Sequence, residues 1–278
     1  MTILFTGASG FLGRHVLRTL LKHKWRVTAV ARCSSDLVHE NLKWKICELR
    51  DISIEDMAEC DTVLHLAARG VSPRICTWAS AFETNVYDSI SLWEKAIQAG
   101  VKRIIVAGTA FEYGQSANEY EFIPADAPLK PVGAYGASKA AASVALRALI
   151  SRSSCKGILI RPFNLYGDGA PAGSLWAELL ASAARHGDLN MTSGTQVRDF
   201  LEVRCAAEKF IDAITGESPT GILQIKNIGS GAAKSVAQFA TESWAQLGAP
   251  GRIIFGAIQS RHDEITRLVP DLSPVYIK

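Results

Sequence analysis

Apolar residues follow two rhythms along the first part of the chain. Short runs rich in Ile, Val and Leu occur at Ile3-Leu4-Phe5, Val27-Thr28-Ala29-Val30, Thr62-Val63-Leu64-His65-Leu66, Arg103-Ile104-Ile105-Val106-Ala107 and Gly157-Ile158-Leu159-Ile160-Arg161. These read as interior strands, with Trp44-Lys45-Ile46-Cys47 as a further one. Between them lie stretches with helical spacing. One runs from Leu12 to Lys24 through Val16, Leu17, Leu20 and Leu21, a short one lies near Ile54 to Glu59, and two longer ones span Phe82 to Ala99 and Tyr135 to Ile150. Strands this apolar need helices on both faces of their sheet. The alternation therefore predicts an α/β fold, a Rossmann-type doubly wound parallel sheet.

After Asn164 the rhythm loosens. Gly167, Gly169, Pro171 and Gly173 mark a loop, followed by predicted helices at Leu175 to Arg185, Val203 to Ile214 and Ser235 to Leu247, with a strand at Ile222-Leu223-Gln224-Ile225. This predicts a small, partly interleaved C-terminal substrate domain. Residues 1–167 form the dinucleotide-binding unit, 198–222 return to it, and 168–197 with 223–278 mainly build the substrate side.

Composition narrows the classes of function. At 278 residues and 48% hydrophobic content the chain can bury a full core without metals or disulfides. Its formal net charge of +3 is too small and too dispersed to suggest a nucleic-acid or membrane surface. Cys33, Cys47, Cys60, Cys76, Cys155 and Cys205 lie far apart without the short spacing of metal ligands, and read as reduced thiols. No metal is expected. The opening Met1 to Gly7 is a poor signal peptide and no apolar run is long enough to span a bilayer, so a cytoplasmic protein is expected.

Gly7-Ala8-Ser9-Gly10-Phe11-Leu12-Gly13 falls between the first predicted strand and the first helix. Gly7 suits a tight turn, Gly10 the close approach of backbone to a pyrophosphate, and Gly13 close helix–sheet packing, while the helix N-terminus offers free N–H groups. The bland alternative is a glycine-rich turn without chemistry. After the second strand, where a carboxylate ordinarily holds the adenosine ribose, the chain has Ala31-Arg32-Cys33-Ser34-Ser35. A guanidinium there suits a 2′-phosphate, so NADP(H) is the preferred cofactor. A solvent-facing Arg32, with Asp36 contacting a ribose, leaves NAD(H) as the alternative.

Tyr135-Gly136-Ala137-Ser138-Lys139 puts two ionisable groups on one face at a helix start. An ammonium near a phenol favours the phenolate and brings a weak acid nearer to neutral pH. Thr109, after the strand ending at Ala107-Gly108, stands at a carboxyl end of the sheet, where ligands bind, and could orient the reacting oxygen against Tyr135. Taken singly, Tyr135 with Lys139 could be ordinary surface residues, and Thr109 a cap.

Together with Asp51-Ile52, His65-Leu66-Ala67-Ala68, Asn85, Gly108-Thr109-Ala110-Phe111-Glu112-Tyr113-Gly114, Arg161-Pro162-Phe163-Asn164-Leu165-Tyr166-Gly167, Arg198-Asp199-Phe200 and Asn227-Ile228-Gly229-Ser230-Gly231, these motifs resemble the extended short-chain dehydrogenase/reductases, the NAD-dependent epimerase/dehydratase family of nucleotide-sugar enzymes. The resemblance implies that Gly7, Gly10, Phe11, Leu12, Gly13, Asp51, Ile52, Leu66, Ala67 and Ala68 contact the cofactor. Tyr135 and Lys139 would touch the nicotinamide end, and Asn164, Arg198 and Arg261 would hold a nucleotide-linked sugar. The chain departs from the pattern at Arg204-Cys205, where an acidic pair is usual, and its late segment Arg261-x-x-Glu264 stands close to an early last residue, Lys278.

Four functions follow from the resemblance. Gly108 to Gly114 together with Arg261-x-Asp263-Glu264 is similar to the branch that reduces the C4 ketone of nucleotide-linked deoxysugars, such as CDP-linked 3,6-dideoxyhexose synthases, and NADPH-dependent reduction is the main expectation. A nucleotide-sugar epimerase with retained NAD would use the same Thr109, Tyr135 and Lys139. Dehydratases carry Asp and Glu after the threonine, where this chain has Ala110 and Phe111, and are least favoured. A non-catalytic nucleotide-binding protein is the fourth reading. The family also implies a homodimer, with Val86, Ile90 and Ala96 or Ile97 packing against Ala141, Val144 and Ala148.

Overall fold

The computed structural model describes residues 1–33, 35–71, 76–259 and 265–278. Strand β1 (Thr2–Thr6) leads through the glycine turn into α1 (Phe11–Lys22), followed by β2 (Arg26–Ala31), β3 (Leu42–Ile46) and β4 (Thr62–His65). Next come α2 (Trp78–Phe82), α3 (Ser89–Gln98), β5 (Arg103–Ala107), α4 (Ala134–Ile150) and β6 (Lys156–Pro162). The second part contains β7 (Asn164–Tyr166), α5 (Leu175–Ala184), β8 (Leu189–Asn190), β9 (Val197–Glu202), α6 (Val203–Thr215) and β10 (Leu223–Ile228). It ends with β11 (Ala233–Ser235), α7 (Val236–Gln246), β12 (Ile253–Ile254), β13 (Arg267–Leu268) and β14 (Val275–Ile277).

Eight strands form one sheet in the order β14-β10-β6-β5-β4-β1-β2-β3, and only the β10–β14 pairing is antiparallel. Both faces are covered. Val16, Leu17 and Leu20 of α1 and Phe210 and Ile214 of α6 pack with Ile3 and Phe5 on one side; Leu92, Trp93, Leu146 and Ile150 pack with Leu4, Val63 and Ile104 on the other. This is the doubly wound arrangement that the Ile/Val/Leu runs predict. A smaller mixed sheet of β11-β9-β13, with β7 beside β9, and the β8–β12 pair build the C-terminal unit. Its own core contains Leu179, Met191, Phe239 and Trp244.

The interleaving runs deeper than the sequence ranges imply. β10 and β14 lie in the large sheet although 223–278 reads mainly as substrate side, and β9 lies in the small sheet although 198–222 reads as returning to the large one. Two- and three-residue strands such as β12, β13 and β14 are too short to show a period of their own. The predicted helix Phe82 to Ala99 is interrupted: a π-helical turn covers Glu83–Asp88 between α2 and α3. Arg204 and Cys205 stand in the first turn of α6. Glu202 caps α6, accepting from the N–H groups of Arg204 (2.7 Å) and Cys205 (3.2 Å).

Candidate active site

The carboxyl ends of β1, β2, β4, β5 and β6 open into a cleft of about 890 Å³ that the smaller unit closes from the other side. Gly7 turns the chain with φ +79°, and a Cβ there would fall 2.5 Å from the Ala67 nitrogen. A side chain at Gly13 would be driven into the Gly7 carbonyl, whereas a Cβ at exposed Gly10 would meet only that carbonyl oxygen, at 3.3 Å. So Gly7 and Gly13 are demanded by packing, and Gly10 leaves the helix start bare. No side chain caps the start of α1, and Gly10, Phe11, Leu12 and Gly13 there line the cleft. This cradle fits a dinucleotide pyrophosphate.

At the opposite wall, Thr109 caps the 3-10 turn Ala110–Glu112, and Thr109 and Tyr135 both line the cleft. Tyr135 lies in the first turn of α4, and Lys139 follows one turn later, almost completely buried. Burial acts on the two in opposite directions. It pushes the Tyr135 phenol well above its ordinary range, with Thr109 acting against the rise, and brings the Lys139 ammonium down to about 8, opposed by the charge of Glu112. The lowered phenol expected from a lysine neighbour is therefore absent in the free chain: desolvation dominates and the charge of Glu112 adds to the rise.

The π-helical turn has a direct structural consequence here. Its buried Asn85 accepts from the Arg69 N–H (2.8 Å) and donates to the Arg69 carbonyl (2.8 Å) and to the Ser138 hydroxyl (2.9 Å). One side chain thus pins the cleft-lining loop after β4 to the α4 turn that carries Tyr135. Beneath it, His65 is fully buried between Thr6 (2.7 Å) and Ser89 (3.1 Å), and burial lowers its pKa to about 3, so it stays neutral.

The structure brings Gly7, Gly10, Phe11, Leu12, Gly13, Arg32, Leu66, Ala67, Ala68, Thr109, Tyr135 and Asn164 to the cleft wall. Others stand apart from it. Ile52 is packed in the core and Asp51 is exposed beside it, while Cys47, Glu48 and Leu49 line the cleft in their neighbourhood. Lys139 sits behind Tyr135 rather than in the wall. Arg198 donates to the carbonyls of Val197 (2.9 Å) and Ile265 (2.6 Å). Arg261, with Asp263 and Glu264, lies outside the described residues. At the substrate end the cleft is walled by Tyr166, Trp176, Phe200 and Phe239, with the last two rings stacked at 3.8 Å. Sequence reading missed this cluster, because Trp176 and Phe239 occupy helical positions indistinguishable from core. The Arg198-Asp199-Phe200 motif is structural at its centre. Asp199 is fully buried and accepts from the N–H groups of Ser230 (2.6 Å) and Gly231 (2.7 Å).

The fold and cleft define a dinucleotide-dependent oxidoreductase of the extended short-chain type, and comparison with known proteins gives the family. Residues 3–229 match the NAD dependent epimerase/dehydratase family, and the chain belongs to it. It is similar to the UDP-glucose 4-epimerase of Neisseria gonorrhoeae, with 27% identity over 91% of this chain and 85% of that protein. Among solved structures it resembles MoeE5 in complex with UDP-glucuronic acid and NAD, with TM-score 0.87 and 26% identity over 98% of this chain and 90% of that one. It also resembles TunA, an NAD-dependent NDP-hexosamine 5,6-dehydratase of tunicamycin biosynthesis, with TM-score 0.84 and 26% identity over 98% and 89%.

These relatives correct the cofactor. MoeE5 holds NAD and TunA is NAD dependent, so NAD(H) replaces the NADP(H) expected from Arg32. The physical reason lies in what an arginine can do. Arg32 is exposed at the cleft rim, where a guanidinium can stack on a flat ring or reach into solvent as readily as it pairs with a phosphate. Its residue type does not select the 2′-phosphate. Among the described residues no helix is long and apolar enough to cross a membrane, and no group of three His, Cys, Asp or Glu could hold a metal ion.

Proposed function

We propose that the chain is a nucleotide-sugar epimerase that retains NAD and inverts a carbinol centre, C4 in the simplest case. The observation that carries this reading is the meeting of Thr109 and Tyr135 at the cleft wall, with Lys139 buried one helical turn behind and with Ala110 and Phe111 after the threonine. Water elimination needs proton-transferring groups beside the reacting carbon, and neither residue after Thr109 can supply one. The 4-keto reduction suggested by Gly108 to Gly114 with Arg261-x-Asp263-Glu264 is expected to consume NADPH, and the NAD of MoeE5 and TunA favours the epimerase.

Bound NAD would supply a reversible acceptor for oxidising and re-reducing the sugar carbon. Gly7, Gly10 and Gly13, with Phe11 and Leu12 at the start of α1, would hold its pyrophosphate. Positive charge at the loaded site would have to favour the Tyr135 phenolate against the burial that keeps Tyr135 neutral in the free chain. In that form Tyr135 takes the proton of the sugar hydroxyl and later returns it, while Thr109 fixes the oxygen's orientation and protonated Lys139 supports the phenolate. Leu66, Ala67 and Ala68 give the cofactor an apolar wall, while Asn164 and the aromatic cluster face the nucleotide sugar. The subunit pairs with a second copy through the α2, α3 and α4 side.

The test is to denature purified protein and measure released NAD, then offer UDP- and dTDP-linked hexoses and read the products by NMR. Bound NAD in near-stoichiometric amount and an inverted sugar without net change at 340 nm are expected. Stoichiometric consumption of added NADPH would mean a reductase.

A further inference from the structure

Glu112 is the one charged member of the Gly108 to Gly114 motif, and no step above uses it. Its carboxylate is fully buried and accepts three hydrogen bonds from three parts of the fold: from the Thr109 N–H at 2.9 Å, the Ser143 hydroxyl of α4 at 2.7 Å, and Arg161 Nε of β6 at 2.8 Å. Arg161, equally buried, donates onward to the Tyr113 hydroxyl and the Ala125 carbonyl, each at 2.9 Å, and Tyr113 donates to Asn227 at 2.6 Å. A buried ion pair is by itself weak ground for stability, since apolar residues of similar volume often do as well. What the pair does here is geometric. Its acidic end touches the turn of Thr109 and the helix of Tyr135 and Lys139.

We propose that Glu112 is a positioning residue, whose carboxylate fixes the Thr109 turn against α4 and places a negative charge behind Lys139. The inference rests on the proton-handling roles given to Thr109, Tyr135 and Lys139 above. The groups facing Glu112 are Arg161 from β6, Tyr113 from its own turn, and Tyr135, Lys139 and Ser143 from α4. Lys139 is faced in addition by His65 from β4, which is neutral. Burial lowers the Lys139 pKa and Glu112 is the charge that opposes the fall. Removing that charge should therefore make Lys139 lose its proton at lower pH, and loosening the Thr109 turn should slow turnover while leaving substrate affinity nearly intact.

The experiment uses the full chain as Glu112→Gln, which keeps shape and drops charge, and as Glu112→Gln with Arg161→Met, which removes both charges. Lys139 is titrated through its side-chain resonance in protein labelled with ¹⁵N-lysine, identified by Lys139→Arg, and epimerisation is assayed alongside thermal melting. Glu112→Gln is expected to lower kcat by about tenfold to a hundredfold with little change in KM, and to move the Lys139 midpoint down by about one pH unit. In the double variant the Tm should recover while kcat and the Lys139 midpoint stay shifted. Recovery of kcat together with Tm, an unchanged Lys139 midpoint in both variants, or loss of the fold in both would reduce the pair to a brace of the core and overturn the proposal. The titration needs no substrate, so an inactive wild type would sink the epimerase reading without deciding this one.

Discussion

Tyr135 and Lys139 occupy one turn of one helix, yet their environment drives both toward the neutral form. Their spacing could be read from the chain because a helix puts positions four apart on one face. The balance of burial against charge could not, because it depends on how deeply α4 sits. Tyr135→Phe keeps the ring and removes the proton carrier. It should lower kcat by about a hundred- to ten-thousandfold while NAD stays bound, and Thr109→Ala should cost less; near wild-type turnover in Tyr135→Phe would end the proposed mechanism. His65 allows a stability test with a definite sign. Its pKa falls from 6.5 unfolded to about 3 folded. Its contribution is thus full above the unfolded value and is lost as pH drops toward the folded one. Wild-type Tm should fall between pH 7 and about 4 more steeply than that of His65→Gln, whose amide can still bond Thr6 or Ser89 but has no proton to gain. Parallel Tm curves would show that His65 does not govern acid sensitivity.

Among the elements, the long interior strands and helices could be predicted because each carries enough apolar residues to reveal its period. The π-helical turn Glu83–Asp88 could not, because it lies inside the helical spacing of Phe82 to Ala99 and one extra residue in the turn leaves little mark on that pattern. Single π turns often accompany functional sites, and this one holds Asn85 where it meets Arg69 and Ser138 together. The family motif singled out Asn85 without giving it a task; the fold supplies one. Asn85→Ala would remove the side-chain partner of the Arg69 N–H and carbonyl and of the buried Ser138 hydroxyl, at about 0.5–1.5 kcal/mol for each hydrogen bond lost. A lowered Tm is expected, accompanied by weaker retention of NAD because the loop after β4 lines the cleft. Unchanged NAD content after purification would separate the loop from cofactor binding. The same contrast explains Asp51 and Ile52. Their motif marks the right neighbourhood, but the 3-10 turn Leu49–Asp51 presents Glu48 and Leu49 to the cleft instead.

At the scale of the whole molecule, the α2–α4 side bears exposed apolar groups close to the candidate site. Tyr87 is 73% exposed, Val144 64% and Trp78 58%, whereas Ala96, one of the residues expected at a dimer interface, is fully buried within its own subunit. Val86, Ile90 and Ile97 are half-buried against the same core. Of the expected face, Val144 and Ala148 are exposed and open to a partner, and the exposed ring of Tyr87 adds to them. Singly exposed apolar residues are ordinary, but neighbouring ones on packed helices form a patch that water disfavours. A second copy of the chain is the proposed cover, since one self-complementary patch closes a twofold dimer without exposing a further surface. Each subunit weighs 30.0 kDa, so light scattering at micromolar concentration should give about twice that mass. Val144→Glu combined with Tyr87→Glu puts two carboxylates on each copy of the patch, where burial would leave them unpaired. It should yield the single-chain mass with an unaltered circular dichroism spectrum. Because α4 also carries Tyr135 and Lys139, the separated subunit is expected to turn over more slowly, through a helix that has lost its support on one side. A wild type already at the single-chain mass would remove the dimer and leave the patch to some other partner, while the cleft reading would stand unchanged.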